Sequence, residues 1–362
     1  MGTLIIQFIA GLVFLIGGAE LLVRGSSRLA SFVGIPPLII GLTVVAFGTS
    51  SPELAVSLRS SLEGTPDIAM GNVIGSNIFN ILLILGISAL IRPLLVSGQL
   101  VRLDVPIMLG VSLLLLFFAL NGSIGRVEGG ILFIGALAYT IFLIKLAFND
   151  RKGRDNEFSR QYFRNGKKLS QRLIIDIFFI IVGLLLLVFG SRFLISSSVV
   201  LAGLLGVGEL VIGLTIIAAG TSLPEVATSI TASLKGERDI AIGNAVGSNI
   251  FNILVVLGLT ALVSPGGIPV SPAVLKFDMP VMIAVALACL PIFFTGGIIS
   301  RWEGALFLAY YVSYTLYLIL EASAHESIPF FGMIFQIFII PLTVITLIVI
   351  SWQAFRKKSG RS

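Results

Sequence analysis

The sequence predicts an all-α polytopic membrane protein made of two inverted five-helix repeats plus one extra C-terminal helix. Three observations predict it: a composition no soluble core can absorb, apolar runs of spanning length along the whole chain, and a long self-match at a fixed offset. The 362 residues are 56% hydrophobic and 12% charged, with a mean hydropathy of +1.07, against roughly 25% charged in a soluble domain. A crossing needs about 20 apolar residues. Windows of that length predict helices near 4–23, 35–61, 67–91, 103–121, 127–148, 173–198, 207–234, 239–263, 278–296, 302–320 and 328–354. The organisation expected is a first repeat over 1–148, a basic connection over 149–171, a second repeat over 172–321, and a last helix with a basic tail over 322–362.

The first span lacks a basic leader and a small-residue cleavage site, so it reads as a retained helix. The connection over 149–171 carries Arg151, Lys152, Arg154, Arg160, Arg164, Lys167 and Lys168 against three acids. Basic connections stay cytoplasmic. Fixing this one inside and alternating outwards puts about 20 of the 24 basic residues on the cytoplasmic side, among them Arg24, Arg28, Arg92 and Arg102. A multi-pass protein of the cell membrane follows, with its N-terminus outside and its C-terminus cytoplasmic. The net charge of +6 does not predict a nucleic-acid partner, since such binding needs basic residues gathered on one face and these are scattered between spans. The single cysteine, Cys289, excludes a disulfide framework and a thiolate metal site. No soluble partner is indicated.

Shifting the chain by 172 residues lays GLTVVAFGTSSPELAVS, from Gly41, on GLTIIAAGTSLPEVATS, from Gly213. The same shift lays DIAMGNVIGSNIFNIL, from Asp67, on DIAIGNAVGSNIFNIL, from Asp239, and 34 of the 57 positions from 34 to 90 are identical. Shared hydrophobicity does not produce such a match; a duplication does. A weaker echo pairs Asp104 with Asp278 and Glu128 with Glu303 at a slightly larger offset. Each half holds five helices. Five is odd, so the second copy enters the membrane upside down, as in many secondary transporters.

Of the 18 acids, Glu53 and Glu225 alone fall well inside predicted helices, at equivalent positions. A buried ionisable group in a membrane costs several kcal/mol unless paired or solvated, so it marks a functional site. No basic residue accompanies either, and a bound cation is the natural partner. Pro52 and Pro224 lack an N–H and leave carbonyls near Ala46–Thr49 and Ala218–Thr221 without their helical donors, backbone that a membrane protein tolerates where it lines a cavity. Thr49 and Thr221 precede their glutamates by one helical turn. Ser50 and Ser222 add oxygens, and Ser76 with Asn80, and Ser248 with Asn252, repeat the i, i+4 spacing. The inventory is all oxygen, which suits Ca2+, with about 6 to 8 ligands, and Na+ rather than softer metals. No cofactor is implied, and neither a nucleophile with its base nor a histidine metal shell suggests an enzyme.

Other features read as structural. GNVIG and GNAVG are GxxxG patterns, so Gly71, Gly75, Gly243 and Gly247 are expected to allow close helix packing. Asp104, Asp278, Glu128 and Glu303 are expected at helix ends as caps or headgroup contacts. Glu20 reads as interfacial and His325 as solvated.

GTSSPE and GTSLPE, each followed by GSNIFN, resemble the motifs of prokaryotic-type sodium/calcium exchangers of the cation/calcium antiporter superfamily. The resemblance covers about residues 1–321. It implies ion ligands at Ala46, Thr49, Ser50, Glu53, Ser76 and Asn80 and at Ala218, Thr221, Ser222, Glu225, Ser248 and Asn252, with both glutamates on Ca2+. It also implies electrogenic exchange of three Na+ for one Ca2+, and alternating access by movement of the first and sixth helices. Potassium-dependent members carry aspartate at the place of Asn252, so the resemblance favours independence of K+. A Ca2+/H+ antiporter on the same fold is the alternative, although its GNxxE signature differs.

Overall fold

The computed structural model describes residues 2–153, 166–204, 218–294 and 297–322. The helices are α1 (Gly2–Val33), α2 (Pro37–Thr49), α3 (Ser51–Leu62), α4 (Asp67–Ile91), α5 (Leu100–Ala119), α6 (Arg126–Gly153), α7 (Gly166–Leu204), α8 (Ala218–Gly220), α9 (Leu223–Lys235), α10 (Arg238–Val263), α11 (Met279–Phe294) and α12 (Arg301–Ala322). Seven of these are long and apolar enough to cross a membrane, and α2 with α3, bent by 41°, makes an eighth. The expected eleventh helix, His325 and the start of the seventh span at 207–217 lie outside the described residues, as does most of the basic connection.

α4 and α10 form the centre. Of their most apolar windows 72% and 78% is buried, against 22% for α1, α6 and α12, so the motif helices are wrapped in protein while the others expose leucine, isoleucine and phenylalanine outward. Both central helices contain a π turn, Asn80–Leu85 in α4 and Asn252–Leu257 in α10. Such turns concentrate at functional sites because they free backbone groups from the regular ladder.

The connections display the inversion directly. Strand β1 (Leu94–Leu95) pairs antiparallel with β4 (Ile298–Ile299), and β2 (Ser123–Ile124) with β3 (Ile268–Pro269). Each pair joins a loop of one half to a loop of the other, extended by matching bonds: Val96 N–H to Gly297 O at 2.7 Å and Val270 N–H to Gly122 O at 2.9 Å. Neither strand pair is visible in the hydropathy pattern, because two residues carry no period.

α1 and α7 lie against each other along their length. A Cβ on Gly11, Gly18 or Gly25 would stand 2.8 Å from backbone atoms of α7, and Gly183 and Gly190 mirror this on the partner helix. Glycines seven residues apart on both helices let the backbones touch. α1 is also longer than expected, running to Val33 instead of ending near 23. Its 32 residues reach about 48 Å at 1.5 Å each, so Arg24 and Arg28 extend a helix beyond the apolar layer rather than lying in a loop. There Arg28 pairs with Asp176 at 3.8 Å, and Glu20 pairs with Lys235.

Candidate cation-binding site

The site forms where two broken helices meet. α2 stops at Thr49 and α3 starts at Ser51, with Ser50 held at φ −80°, ψ 6°; in the second half Ser222 adopts φ −88°, ψ 8° before α9. Pro52 and Pro224 sit in the first turns of α3 and α9, where a missing N–H costs nothing. Glu53 and Glu225 follow in the same first turns. The positive end of each half-helix dipole therefore lies beside its carboxylate.

Both glutamates are fully buried, and each accepts a hydrogen bond from the other half. Ser50 Oγ donates to Glu225 Oε1 at 3.0 Å, and Ser222 Oγ to Glu53 Oε1 at 2.8 Å, with Ser76 Oγ 3.0 Å from Ser222 Oγ. Among the described residues, the salt bridges are Arg28–Asp176, Arg59–Glu63 and Lys235–Glu20, so no basic side chain neutralises either glutamate. Both Oε2 atoms are buried without a hydrogen-bond partner.

A layer of asparagines orders the surrounding oxygens. Thr49 Oγ1 donates to Asn244 Oδ1 at 3.0 Å, and Thr221 Oγ1 to Asn72 Oδ1 at 3.2 Å. A hydroxyl has one proton, so each threonine keeps its lone pairs for another partner. Asn72 Nδ2 donates to Glu53 O at 3.2 Å and Ser57 Oγ at 3.0 Å; Asn244 Nδ2 donates to Glu225 O at 3.3 Å and Ser229 Oγ at 3.0 Å. Asn77 and Asn249 donate to each other's main-chain oxygens at 3.3 and 3.0 Å. Asn80 Nδ2 donates to Asn249 Oδ1 at 2.9 Å, and Asn252 Nδ2 to Asn77 Oδ1 at 3.1 Å. The amide hydrogens are thus directed away from Asn80 Oδ1 and Asn252 Oδ1, which are buried and unpartnered, as is Ser248 Oγ. Glu53, Glu225, Asn80 and Asn252 supply every carboxylate and amide oxygen so stranded among the described residues.

The two sides of this layer differ. On one side Gly243 and Gly247 press against α2 and the π turn Gly41–Val45: a Cβ on Gly247 would lie 2.8 Å from Leu42 Cα and 2.9 Å from Ala46 Cβ. On the other side Gly71, Gly75, Ser76, Thr221, Asp278 and Tyr314 line a cavity of about 620 Å³ on the β2–β3 face.

The expected set is therefore largely brought together: Thr49, Ser50, Glu53, Ser76 and Asn80 meet Thr221, Ser222, Glu225, Ser248 and Asn252 through the bonds above or as buried, unpartnered oxygens beside them. Three expectations change. The Ala46 carbonyl is not freed by Pro52, since it accepts Ser50 N–H at 3.0 Å, which leaves it one lone pair. Helix packing holds for Gly243 and Gly247 but not for Gly71 and Gly75, which face the cavity with no described atom within 4 Å of an added Cβ. Asp104 is fully buried rather than in a headgroup layer, accepting from Tyr139 Oη and Gln99 Nε2 at 3.1 Å each. Glu128 and Glu303 do cap, accepting Gly125 N–H at 3.0 Å and Ser300 N–H at 2.7 Å. Ala218 begins α8, and its side chain lies outside the described ones. Asn72, Asn77, Asn244 and Asn249 were missed. Their identity under the 172-residue shift was the available signal, obscured because a glycine-flanked asparagine also suits a packing motif.

Comparison with known proteins agrees with this geometry. The family profile described as "Sodium/calcium exchanger protein" matches residues 3–145 and 175–320. The chain belongs to the sodium/calcium exchanger family. It is 42% identical over 282 residues to the inner membrane protein YrbG of Escherichia coli (strain K12), covering 77% of this chain and 85% of that protein. It is 34% identical over 338 residues to the sodium/calcium exchanger MaX1 of Methanosarcina acetivorans, covering 85% and 96%. The solved sodium/calcium exchanger from Methanococcus jannaschii superposes with a TM-score of 0.74 at 29% identity, covering 86% of this chain and 97% of that one. This member of the family is a multi-pass membrane transporter of the cation/calcium antiporter type.

Proposed function

We propose that the chain exchanges Na+ for Ca2+ by alternating access, electrogenically and without K+. The observation that carries this reading is the set of buried, unpartnered oxygens contributed symmetrically by both halves: Glu53 Oε2 with Glu225 Oε2, and Asn80 Oδ1 with Asn252 Oδ1. Leaving a buried acceptor without a partner costs about 1–3 kcal/mol, and more for a charged one. A desolvated cation removes that cost at every one of these atoms. Ca2+ is taken by Glu53 and Glu225, whose two charges balance it, with Thr49 and Thr221. Na+ uses the neutral oxygens beside the same acids, from Ala46, Ser50, Ser76, Asn80, Ala218, Ser222, Ser248 and Asn252. Because the glutamates are shared, loading with one ion excludes the other.

Ser50 and Ser222 donate to the carboxylates of the opposite half, so cation arrival on either glutamate is felt by the other broken helix. The cavity on the β2–β3 face and the tight glycine packing opposite it suit a state open to one side. With the N-terminus outside and the C-terminus cytoplasmic, that open side is external. The five-helix halves over 1–148 and 172–321 act as the inverted units, and the lipid bilayer is their surrounding partner.

The test is 45Ca2+ uptake into K+-free proteoliposomes with either an outward Na+ gradient or an outward proton gradient. Uptake following the Na+ gradient and leaving the lumen negative, read with a potential-sensitive dye, is the expected result. Uptake that follows the proton gradient alone, or Na+-driven uptake that moves no charge, overturns the reading.

A further inference from the structure

A charge pair at one face of the molecule has a counterpart at the other with both signs reversed. Glu20 of α1 pairs with Lys235, the last residue of α9. This is the β1–β4 face, since a Cβ on the next residue, Gly236, would stand 2.6 Å from Nη1 of Arg92, two residues before β1. The 172-residue shift carries Glu20 onto Arg192 of α7, in the register that lays Gly11 and Gly18 on Gly183 and Gly190, and carries Lys235 back onto Glu63, which follows α3. Duplication alone gives both copies the same signs. Here both positions have changed sign, yet each pair still holds one acid and one base, as a contact made by both halves requires.

Of the two contacts, the state described here makes one. α1 packs on α9, and Ser27 Oγ adds a hydrogen bond to Glu237 Oε1 at 2.6 Å. No comparable packing joins α7 to α3. The 620 Å³ cavity stands between them, with Ile195 of α7 and Val56 of α3 on its walls. Arg192 is exposed and belongs to no ion pair among the described residues. It lies ten residues before Ala202, the end of its apolar span, and an ionisable side chain in a spanning helix calls for a partner. Glu63 meanwhile pairs with Arg59 of its own helix at 2.8 Å, both side chains being largely exposed. Such an exposed pair contributes little, so Glu63 is easily taken by another base.

We propose that Glu20–Lys235 and Arg192–Glu63 are alternative latches that set which face the exchanger opens. The first is shut in the state described here. The second forms when α7 closes on α3 over the cavity and α1 parts from α9, with Arg192 taking Glu63 from Arg59. The second latch is the weaker, because Ser27 and Glu237 correspond to Val199 and Thr65, and valine has no hydroxyl to give. The latches therefore bias the protein towards opening its β2–β3 face. This inference rests on the exchange reading above.

The two latches act with opposite sign, which a purely structural role would not reproduce. Half-saturating Ca2+ for 45Ca2+/Ca2+ self-exchange is measured at each face, in right-side-out and inside-out vesicles. Its value rises at a face as the state open to that face becomes scarce. Loss of a partly exposed ion pair shifts an equilibrium about twofold to fivefold. Lys235→Gln raises the half-saturating Ca2+ at the β2–β3 face relative to the β1–β4 face by about that factor, and Arg192→Gln lowers the same ratio by about that factor. Arg59→Gln, which frees Glu63 for Arg192, raises it. In a Glu63→Gln background neither Arg192→Gln nor Arg59→Gln has an effect. A bifunctional thiol reagent joins Glu63→Cys to Arg192→Cys, Cys289 being buried. An unchanged ratio in Arg192→Gln, shifts of one sign in Lys235→Gln and Arg192→Gln, an Arg192→Gln effect that persists without Glu63, or no cross-link overturns the proposal. Self-exchange and cross-linking need no Na+, so Ca2+ uptake that follows a proton gradient alone would overturn the Na+ reading and leave the latches to be judged on these results.

Discussion

Glu53→Gln separates the cost of a buried charge from the value of the cation it holds. Glutamine keeps the volume and retains one oxygen able to accept the Ser222 hydroxyl, now 2.8 Å from Glu53 Oε1, but it carries no charge. Both glutamates are fully buried and outside every ion pair among the described residues, so under the proposed exchange a bound cation is their compensating charge. Removing one member of a buried opposite-charge pair costs about 3–5 kcal/mol, a weakening of Ca2+ binding by about 150- to 4000-fold at 1.4 kcal/mol per decade. Without cations the sign reverses, because a buried carboxylate lacking a partner is destabilising by several kcal/mol and the amide relieves it. Thermal unfolding in detergent, with and without Ca2+, reads both effects. At 100 times the wild-type Kd, Ca2+ stabilises the wild-type protein by about 2.7 kcal/mol, whereas a 150-fold weaker variant gains about 0.3 kcal/mol. The expected outcome is a variant more heat-stable than wild type when ion-free, unresponsive to Ca2+ and inactive in 45Ca2+ uptake. Glu225→Gln behaves alike. A variant that keeps more than about 1 kcal/mol of Ca2+ stabilisation, or is less stable ion-free, would refute the reasoning.

Three further outcomes are expected. Asn72→Leu removes the acceptor of the Thr221 hydroxyl and the donor to Glu53 O and Ser57 Oγ; leaving these unpaired costs about 1–3 kcal/mol each, and equilibrium 45Ca2+ binding should weaken about tenfold or more, with Asn244→Leu the same. Gly247→Ala pushes a Cβ to 2.8 Å from Leu42 Cα, an overpacking cost of about 1–3 kcal/mol borne by the closed side; hydrogen exchange over residues 38–46 should quicken, while Gly75→Ala, facing the cavity, leaves it unchanged. Asn252→Asp takes the site from two formal negative charges to three, so a Ca2+-loaded site changes from neutral to −1; Ca2+/Ca2+ self-exchange, insensitive to voltage in the wild type, should become voltage-dependent.

Much of the architecture is legible in the sequence because the bilayer imposes it. Spans show as apolar runs, and the inversion follows from an odd number of helices between two copies. Glu53 and Glu225 stand out since an acid within an apolar run is rare and both copies retain it. Helix ends are less legible: α1 continues past Arg24 and Arg28 because charges end a hydropathy window without ending a helix.

Which oxygens face a cation is a different matter. Spacing assigns residues to helix faces within one half, but Ser50 bonds Glu225 and Thr221 bonds Asn72 across 175 and 149 residues. Those pairings exist only once the halves interlock, and they decide which hydrogens are spent and which oxygens remain. The same holds for Asp104, whose burial depends on Tyr139 and Gln99 closing over it. The difference between the two faces lies further still from the sequence. GNVIG and GNAVG are nearly the same string, yet Gly247 is pressed against Leu42 while Gly75 borders open space. By itself the sequence determined the spans, the inverted duplication and the two acids, all local or periodic properties. The tertiary structure alone decided the cross-repeat bonds and the open side, because near-identical halves can close on either face and only the packing of one against the other selects which.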